Sequence, residues 1–428
     1  MNVLIFQIAP KDIQIKSSYK FHELSSSASL PAETIKEFYE KFRDKSTKII
    51  LFLPVSLQNK EEIIKIFKNS FIIPSIGKYQ YQDQKINEYK GTYDQIVSSI
   101  FSIFVNEFLS LEKEQNLEEV IVDISRGQNI FVSSISDALR NFLVFTDLYN
   151  LDKLREKRIV SKLTFTLPVD SPEKLGSIPI EIFETKFEWK TFFSLPIERV
   201  SKNDIYNKFP SQLDDIDKNK IKELINASIF FYSSIKNGIV LPLFYVKVPS
   251  EEEIKNTIKN IIDCFQRKLK KNNYENIENF NYRLYIRVLQ SLALLIGIIK
   301  LIKKHVNLEN KDENNFVPLE EIGNFKKVLE EVGELAASIF LETEIEKQKM
   351  ALSEIENGRK EIETNNQRSA QFGSKERNFF AHAGLEKTMI IKEGNKIKYK
   401  DEIIEELKDC LVKGRGEIFS WLVKRFLS

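Results

Sequence analysis

The sequence EVIVDISRGQNIFVSSISDALRNFLVFTDL, at residues 119–148, determines how the N-terminal half folds. It starts with EVIVDI, a pattern typical of a buried strand, and continues through a short SRGQN turn. After the turn, apolar residues recur at helical spacing. A buried strand that leads through a tight turn into a helix is the repeating unit of parallel α/β sheets. The segment therefore predicts such a sheet, with a ligand-binding edge where the strands end.

Similar strand and helix patterns flank this segment. Buried strands are predicted at residues 2–9, 47–53 and 162–167, and helices at residues 32–42, 60–67 and 93–111. Short strands that alternate with helices favour right-handed crossovers and a Rossmann-like layered sheet. After about residue 170 the chain is rich in Pro, Ser and aromatic residues, with short strands such as IPIEIFET at 178–185.

Helical periodicity dominates from about residue 215. Helices are predicted at residues 218–235, 251–271, 281–305, 319–357 or beyond, and 402–426, with a β-hairpin at 388–400 around Gly394 and Asn395. The fold class is therefore α/β + α. We expect a Rossmann-like domain with a parallel-rich sheet at residues 1–195. A mostly helical domain with a β-hairpin insertion should follow at residues 196–428.

Composition indicates which ligands the protein can bind and in which cellular compartment it works. The 428 residues carry a net charge of only +2, which argues against a general affinity for long nucleic acids but allows a short anionic ligand. Cys264 and Cys410 lack metal-ligand spacing and fit buried thiols in a reducing cytoplasm. The N-terminus lacks the features of a signal peptide, and residues 288–302 fit a core helix better than a membrane span. We expect a cytoplasmic protein without a membrane segment.

Among the three histidines, His382 has the most suggestive surroundings. His305 follows two lysines at a predicted helix end, where a cation suits the helix dipole. His22 lies in a predicted loop, and no neighbouring residue supports a role in binding. His382 belongs to GSKERNFFAHAG, residues 373–384, in which polar residues surround an apolar Phe-Phe-Ala stretch.

The residue types around His382 suit RNA cleavage. On a helix, Asn378 and His382 share one face with Arg377 beside them, while Phe379 and Phe380 anchor the helix in a core. A histidine can move a proton between a ribose 2′-hydroxyl and a leaving 5′-oxygen, and an arginine can stabilise the charge that develops on phosphorus. No metal-ligand motif accompanies them. An incidental histidine near a helix end remains the alternative.

The SRGQN turn has the residue types of a phosphate-binding loop. Gly127 permits a tight turn, the following helix presents free N–H groups, and Arg126 adds positive charge. The loop after the first strand, from Ala9 to Asp12, should face the same crevice. The predicted ligand-binding residues are Ala9, Pro10, Lys11, Asp123, Ser125, Arg126, Gly127 and Asn129. An ordinary βα turn is the alternative.

Three segments carry a resemblance to a known family. RNFFAHAG resembles the HEPN signature of CRISPR-associated CARF–HEPN ribonucleases of type III systems, the Csx/Csm group. The 123–129 turn resembles the Asp-x-Ser/Thr-x-Gly-x-Asn loop of CARF domains. SIKNGIVLPLFY, residues 234–245, is similar to the segment that opens the helical part of the family. The first loop departs from the family pattern, since it lacks the Gly-rich or Trp-containing form.

The resemblance implies a metal-independent endoribonuclease that defends against viruses. It would cleave single-stranded RNA to 2′,3′-cyclic phosphate ends, with Arg377, Asn378 and His382 as catalytic residues and no cofactor. A cyclic oligoadenylate, with cyclic tetra-adenylate favoured, would activate a homodimer or an assembly of dimers. Two alternatives stay open: a CARF-type transcriptional regulator that binds DNA, and a catalytically silent helical interaction module.

Overall fold

The computed structural model describes residues 3–10, 16–57, 60–81, 85–111, 117–125, 127–153, 158–166, 177–185, 192, 194–356 and 375–427. Its main element is an eight-stranded sheet in the N-terminal half. The strands of this half are β1 Val3–Ile8, β2 Ser17–Phe21, β3 Leu24–Ala28, β4 Thr47–Pro54, β5 Ser70–Ile73, β6 Ile76–Gln80, β7 Ile86–Lys90, β8 Glu119–Asp123, β9 Val160–Thr166 and β10 Ile178–Glu184.

The sheet has the order β3-β2-β10-β9-β8-β1-β4-β5. Strands β9, β8, β1, β4 and β5 pair in parallel, whereas β10 is antiparallel to β9. A β2–β3 hairpin completes one edge, and β6 pairs with β7 in a separate hairpin. The predicted Rossmann-like sheet with mostly parallel strands is confirmed.

Helices cover both faces of this sheet: α1 Pro31–Phe42, α2 Lys60–Ile66, α3 Tyr93–Leu111 and α4 Asn129–Tyr149. The alternating side chains of β1 show that a separate core lies on each face of the sheet. Leu4 and Phe6 belong to the core beneath α3 and α4, and Val3 and Ile5 to the smaller core beneath α1. Because successive side chains of a strand point to opposite faces, a strand with apolar residues on both faces, such as β1, requires cover on both sides.

The C-terminal half is mostly helical, as predicted. Its helices are α5 Lys218–Lys236, α6 Glu251–Lys271, α7 Tyr282–His305, α8 Leu319–Gly323, α9 Phe325–Glu331, α10 Leu335–Glu356, α11 Lys375–Ala381, α12 Asp401–Lys413 and α13 Glu417–Leu427. The predicted hairpin is confirmed as β12 Ile390–Glu393 and β13 Lys396–Tyr399, and β11 Val317–Pro318 adds a third strand.

Helix α7 lies at the centre and joins the two halves. Within the part of the chain that the structure describes, it is the one helix long and apolar enough to cross a membrane, but most of it is buried in the protein. It is therefore a core helix, as predicted. At Gly297 a Cβ atom would lie 2.0 Å from the Leu148 carbonyl oxygen, so α4 and α7 touch backbone to backbone. One continuous apolar core runs from the sheet into the helical half.

Two predicted helices are wrong in extent. The helix expected at 319–357 is three helices, α8 to α10, and the break before α10 falls at Gly333, whose φ is +83°. The helix expected at 402–426 is two helices, because Gly414 and Gly416 have φ of +60° and +136°. Residues with positive φ cannot continue a right-handed helix. Cys264 and Cys410 are buried free thiols, as predicted, and burial raises the pKa of both, to about 12 for Cys410.

Candidate functional site

His382 directly follows α11, whose position is fixed by its phenylalanines. Phe379 is fully buried and packs on Trp421 of α13, with 5.2 Å between ring centroids. The half-buried Phe380 meets Phe379 edge to face at 5.7 Å. This packing fixes α11 against α13. Arg377 is exposed, and Asn378 and His382 are half-buried.

The turn after His382 places the imidazole at the end of its helix. Gly384 has a φ of +77°, and a Cβ there would lie 2.9 Å from Cγ2 of Ile239. The buried Tyr399 hydroxyl donates to the Gly384 carbonyl oxygen at 2.9 Å. Only glycine combines this conformation with so close a contact. Ile239 belongs to the 234–245 segment, so two of the three segments that carry the resemblance pack against each other.

Two carboxylates approach the His382 ring. Nδ1 lies 3.2 Å from Oε2 of Glu344, and Nε2 lies 3.6 Å from Oε2 of Glu386. The Glu344 side chain is only 2% exposed, and its other oxygen accepts a bond of 2.5 Å from Lys347. Because an ionised carboxylate only accepts, it holds the proton on Nδ1. The Nε2 atom makes no hydrogen bond to Glu386, since 3.6 Å is too long for one.

Glu344 is a residue that the sequence analysis missed. It lies on α10, where the buried positions Ser338, Leu341, Ile345 and Gln348 follow one another at helical spacing. Three of the buried positions on this face, including Glu344 itself, are polar. A run of polar residues on the core side of a helix was the available signal, because such residues are seldom buried without a partner.

A second candidate site lies where the parallel strands end. A cavity of about 500 Å³ opens beyond β1 and β4, at the start of α4. Its wall is mainly apolar and aromatic, with amide and hydroxyl groups among the apolar ones. The lining residues are Ile8, Ala9, Pro10, Pro54, Ser56, Leu57, Tyr79, Gln80, Tyr81, Gly127, Gln128 and Phe131. A cavity with this lining suits a nucleobase, since the rings stack on it and the amides bond its edge.

The predicted ligand residues divide into three groups. Ala9, Pro10 and Gly127 line the cavity, and Asn129 is exposed as the first residue of α4. Lys11 and Arg126 lie outside the described residues. Gly127 has a φ of +131° with Ile8 directly behind it, so its backbone conformation favours glycine. The first turn of α4 contains no acidic residue, and its free N–H groups can meet an anion.

Asp123 and Ser125 are used inside the loop. The buried Asp123 carboxylate accepts from the Ser125 hydroxyl at 2.7 Å and from the Thr164 hydroxyl at 2.9 Å. The Ser125 oxygen in turn accepts from the Thr166 backbone N–H at 2.9 Å. These bonds tie the end of β8 to the end of β9. In this structure the two side chains shape the loop, and their predicted contact with a ligand stays a prediction.

The β6–β7 hairpin supplies tyrosines that the sequence analysis missed. The Tyr79 hydroxyl donates to Oε1 of Gln128 at 2.8 Å, and the Tyr81 hydroxyl donates to the Ser56 carbonyl oxygen at 2.8 Å. Burial raises the pKa of both tyrosines, so both stay protonated donors at neutral pH. Alternating tyrosines at 79 and 81, followed by Tyr89, were the available signal for a hairpin with an aromatic face.

The comparison with known families found a match in the N-terminal half of the chain. Residues 12–168 match the model of the CARF domain of CRISPR system endoribonuclease Csx1. The N-terminal half is therefore similar to a CARF domain. The match covers a little over a third of the chain, and it supports a CRISPR-associated, ligand-sensing protein of the type III systems. No curated protein matches the chain.

The remaining predicted groups have structural contacts. His305 at the end of α7 bonds Glu331 at 2.7 Å. His22 sits in the β2–β3 turn with a φ of +51° and stacks on Phe38. Across the described ranges, His, Cys, Asp and Glu side chains form no group of three that could hold a metal ion.

Proposed function

We propose that the protein is a homodimeric, metal-independent endoribonuclease of CRISPR type III defence, switched on by a cyclic oligoadenylate. The observation that carries the catalytic part is the hydrogen bond from His382 Nδ1 to the buried Glu344, which leaves Nε2 available to a substrate. The CARF-like strand-end cavity supports the activator. Cyclic tetra-adenylate is the activator that we favour.

His382 would act in proton transfer. Nε2 would take the proton of the attacking ribose 2′-hydroxyl or, once protonated, give one to the leaving 5′-oxygen. Arg377 would stabilise the added charge on phosphorus, and Asn378 would orient the strand. Attack by the neighbouring 2′-oxygen leaves a 2′,3′-cyclic phosphate, so this route uses no metal-bound water.

The bases of the activator would bind in the aromatic cavity, and its phosphates would bind at the start of α4. An adenine would enter the aromatic cavity beside Tyr79 and Tyr81, and the adjoining phosphate would meet the first N–H groups of α4 near Asn129. A ring with two-fold symmetry matches an isologous dimer, since each copy offers the same donors. One ring would then lie across two copies of the chain.

The dimer would also complete the catalytic site. Each chain supplies one Arg377, on α11, and one His382, just after the end of that helix. A second copy of α11 facing the first would put an arginine from one chain near the histidine of the other. Leu335, Ile339 and Met350 of α10 are each at least 60% exposed and lie on one side of that helix. They supply an apolar surface for the partner.

The experiment is cleavage of a single-stranded RNA with analysis of the product ends. We expect 2′,3′-cyclic phosphate ends and full cleavage in EDTA. His382→Ala and Arg377→Ala should each lose ~10²–10⁴-fold in rate, the usual contribution of such groups. His305→Ala is the matched control, because it removes another histidine held by a glutamate. Full activity of His382→Ala, or abolition of cleavage by EDTA, would overturn the proposal.

A further inference from the structure

A second polar cavity lies in the helical half, on a different face of α13 from the one that packs on Phe379. It has a volume of about 400 Å³ and lies between α5, the α12–α13 turn and a π-helical turn at Asp204–Lys208. We call it the α5–α13 cavity. Its lining residues are Lys202, Tyr206, Lys222, Asn226, Val412, Lys413, Gly414, Phe419, Ser420 and Val423. π-Helical turns are rare and frequently occur at functional sites.

Asn226 is the most informative residue of this cavity. Its side chain is buried, at 4% exposure, and Nδ2 donates to the Leu411 carbonyl oxygen at 2.8 Å. That bond fixes the orientation of the amide. The amide oxygen Oδ1, at the other end of the same group, can accept a hydrogen bond from a ligand.

Tyr206 adds a second polar group. It lies on the π-helical turn, and no described residue bonds its hydroxyl. Burial alone raises the pKa of this tyrosine, so the hydroxyl remains a donor at neutral pH. The apolar wall opposite includes Phe419, which stacks on Phe230 and is held rigidly. The cavity thus offers a donor, an acceptor and a flat apolar wall.

The charged lining residues are all cations. Within the described ranges, Lys202 and Lys222 form no ion pair, while Lys413 pairs with Asp409 on its own helix at 2.9 Å. The nearby acids have partners elsewhere, since Glu223 binds Lys220 and Asp204 binds Lys208. In a chain with 64 basic and 62 acidic residues, an uncompensated pair of lysines beside a polar cavity favours a phosphate ligand.

We propose that the α5–α13 cavity binds one nucleotide unit of a single-stranded RNA, as a site separate from His382. The phosphate lies on Lys202 and Lys222, and the base lies on the Phe419 wall with a base N–H donated to Asn226. The phosphate-binding role follows from the lining residues. The choice of RNA, rather than another phosphate-containing ligand, rests on the proposed ribonuclease function. A site of this kind anchors the strand outside the catalytic centre, so it raises affinity without altering the chemical step.

The test measures binding of the whole protein to a labelled 12-nucleotide RNA whose ribose 2′-hydroxyls are all 2′-O-methyl groups, so that it cannot be cleaved. The variant is Lys202→Gln with Lys222→Gln, and the matched control is Lys65→Gln with Lys259→Gln. We expect the variant to bind at least about tenfold more weakly at 0.1 M salt. In a plot of log K against log salt concentration, the slope should be shallower by about 0.7, because one phosphate contact to a single strand is lost.

Tyr206→Phe provides a second measurement that removes only the hydroxyl. It should bind the RNA roughly threefold more weakly, the effect of one neutral hydrogen bond. Equal binding by the lysine variant and its control would overturn the proposal. Binding of AMP to the same variants is a further measurement. If the lysine variant loses AMP binding but binds RNA like the wild type, the cavity binds a free nucleotide and the proposal is wrong. If the wild-type protein binds RNA here but cleaves none, the proposed function fails and this site stands.

Discussion

At the scale of single residues, the buried Glu344 determines how His382 can act. Burying an ionised carboxylate is costly unless it is paired, and Glu344 has both His382 and Lys347 as partners. The carboxylate fixes which ring nitrogen carries the proton. Under the proposed function, Glu344 would be a positioning residue, and its effect on cleavage would pass through the imidazole.

We predict that Glu344→Ala lowers the maximal cleavage rate by at least about tenfold while leaving the Michaelis constant for RNA nearly unchanged. Loss of the fixed tautomer affects proton transfer more than substrate binding. Glu344→Gln should retain more activity than Glu344→Ala, because its amide oxygen still accepts from Nδ1. Glu346→Gln, on an exposed glutamate of the same helix, is the control. Equal rates for Glu344→Ala and the wild type would contradict the positioning role.

Asp147 near the end of α4 makes stability depend on pH. Burial raises its pKa to about 6, and the Arg158 charge opposes this only in part. Since the pKa is higher in the folded than in the unfolded chain, the folded state binds more protons between pH 4 and 6. Asp147 therefore lowers the free energy of unfolding as the pH rises through this window, by about 3 kcal/mol in all.

The corresponding substitution is Asp147→Asn. At pH 7 we expect it to raise the free energy of unfolding by up to about 3 kcal/mol, because the amide carries no charge to bury. Below pH 4 the variant and wild type should be nearly equal. Urea unfolding at several pH values measures both. A variant that is less stable than the wild type at pH 7 and equally stable at pH 4 would show that the Arg158 contact dominates.

At the scale of elements, the β6–β7 hairpin closes the strand-end cavity with Tyr79 and Tyr81. We predict that Tyr79→Ala weakens binding of cyclic tetra-adenylate by about 10–100-fold, the loss expected when a base loses an aromatic stacking partner. Tyr79→Phe keeps the ring and loses only the hydroxyl, with its bonds to Gln128 and to the Ile76 carbonyl oxygen, so its affinity should fall much less. Calorimetry on both variants is the measurement. Wild-type affinity in Tyr79→Ala would mean that the activator binds elsewhere.

The elements with strong periodicity were predictable from sequence. The strands β1, β4 and β8 each contain a run of apolar residues, and helices such as α4 and α7 have long apolar periodicity, patterns that few other structures share. The loop at 123–129 was also located correctly, since a strand-turn-helix pattern specifies where the turn lies. The roles of Asp123 and Ser125 within it were not predictable, because their partners Thr164 and Thr166 are about 40 residues away.

The missed elements depend on contacts that a local pattern does not show. Strands β2 and β3 are polar and short, and they are ordered by pairing at the sheet edge. The breaks at Gly333 and Gly414 fall within apolar patterns that continue on both sides, so periodicity alone joined the helices. Glu344 was missed for a similar reason, since its partner His382 lies 38 residues further along the chain.

At the scale of the molecule, contiguous contacts connect the two candidate sites. Helix α4 begins at the strand-end cavity and reaches α7 some 30 Å away. Helix α7 contacts α5 through the bond from the Ser228 hydroxyl to the Ser291 carbonyl oxygen. Helix α5 in turn contacts α13 through the bond from the Ser233 hydroxyl to the Leu422 carbonyl oxygen. Trp421 of α13 then packs on Phe379 beside His382. Rigid helices in contact can transmit a shift of a two-state equilibrium.

At Gly297 the backbones of α4 and α7 are too close together to leave room for a side chain. We predict that Gly297→Ala forces α4 and α7 apart, lowers the free energy of unfolding by about 1–3 kcal/mol and reduces stimulation of cleavage by the activator. Gly323→Ala is the control, because the nearest atom there is 3.9 Å away. Thermal unfolding and the cleavage rate with and without activator are the measurements. Wild-type stability and stimulation in Gly297→Ala would show that the contact is not tight.

The central claim is that a ligand in the CARF-like half controls chemistry at His382. The most direct measurement is the rate of RNA cleavage with and without cyclic tetra-adenylate, in the wild type, Tyr79→Ala and His382→Ala. We predict about 100-fold stimulation of the wild type, which corresponds to roughly 2.7 kcal/mol of coupling. Tyr79→Ala should need more activator to reach the same maximal rate, and His382→Ala should stay inactive at any concentration. Cleavage by the wild type that is independent of the activator, or stimulated cleavage by His382→Ala, would contradict the account.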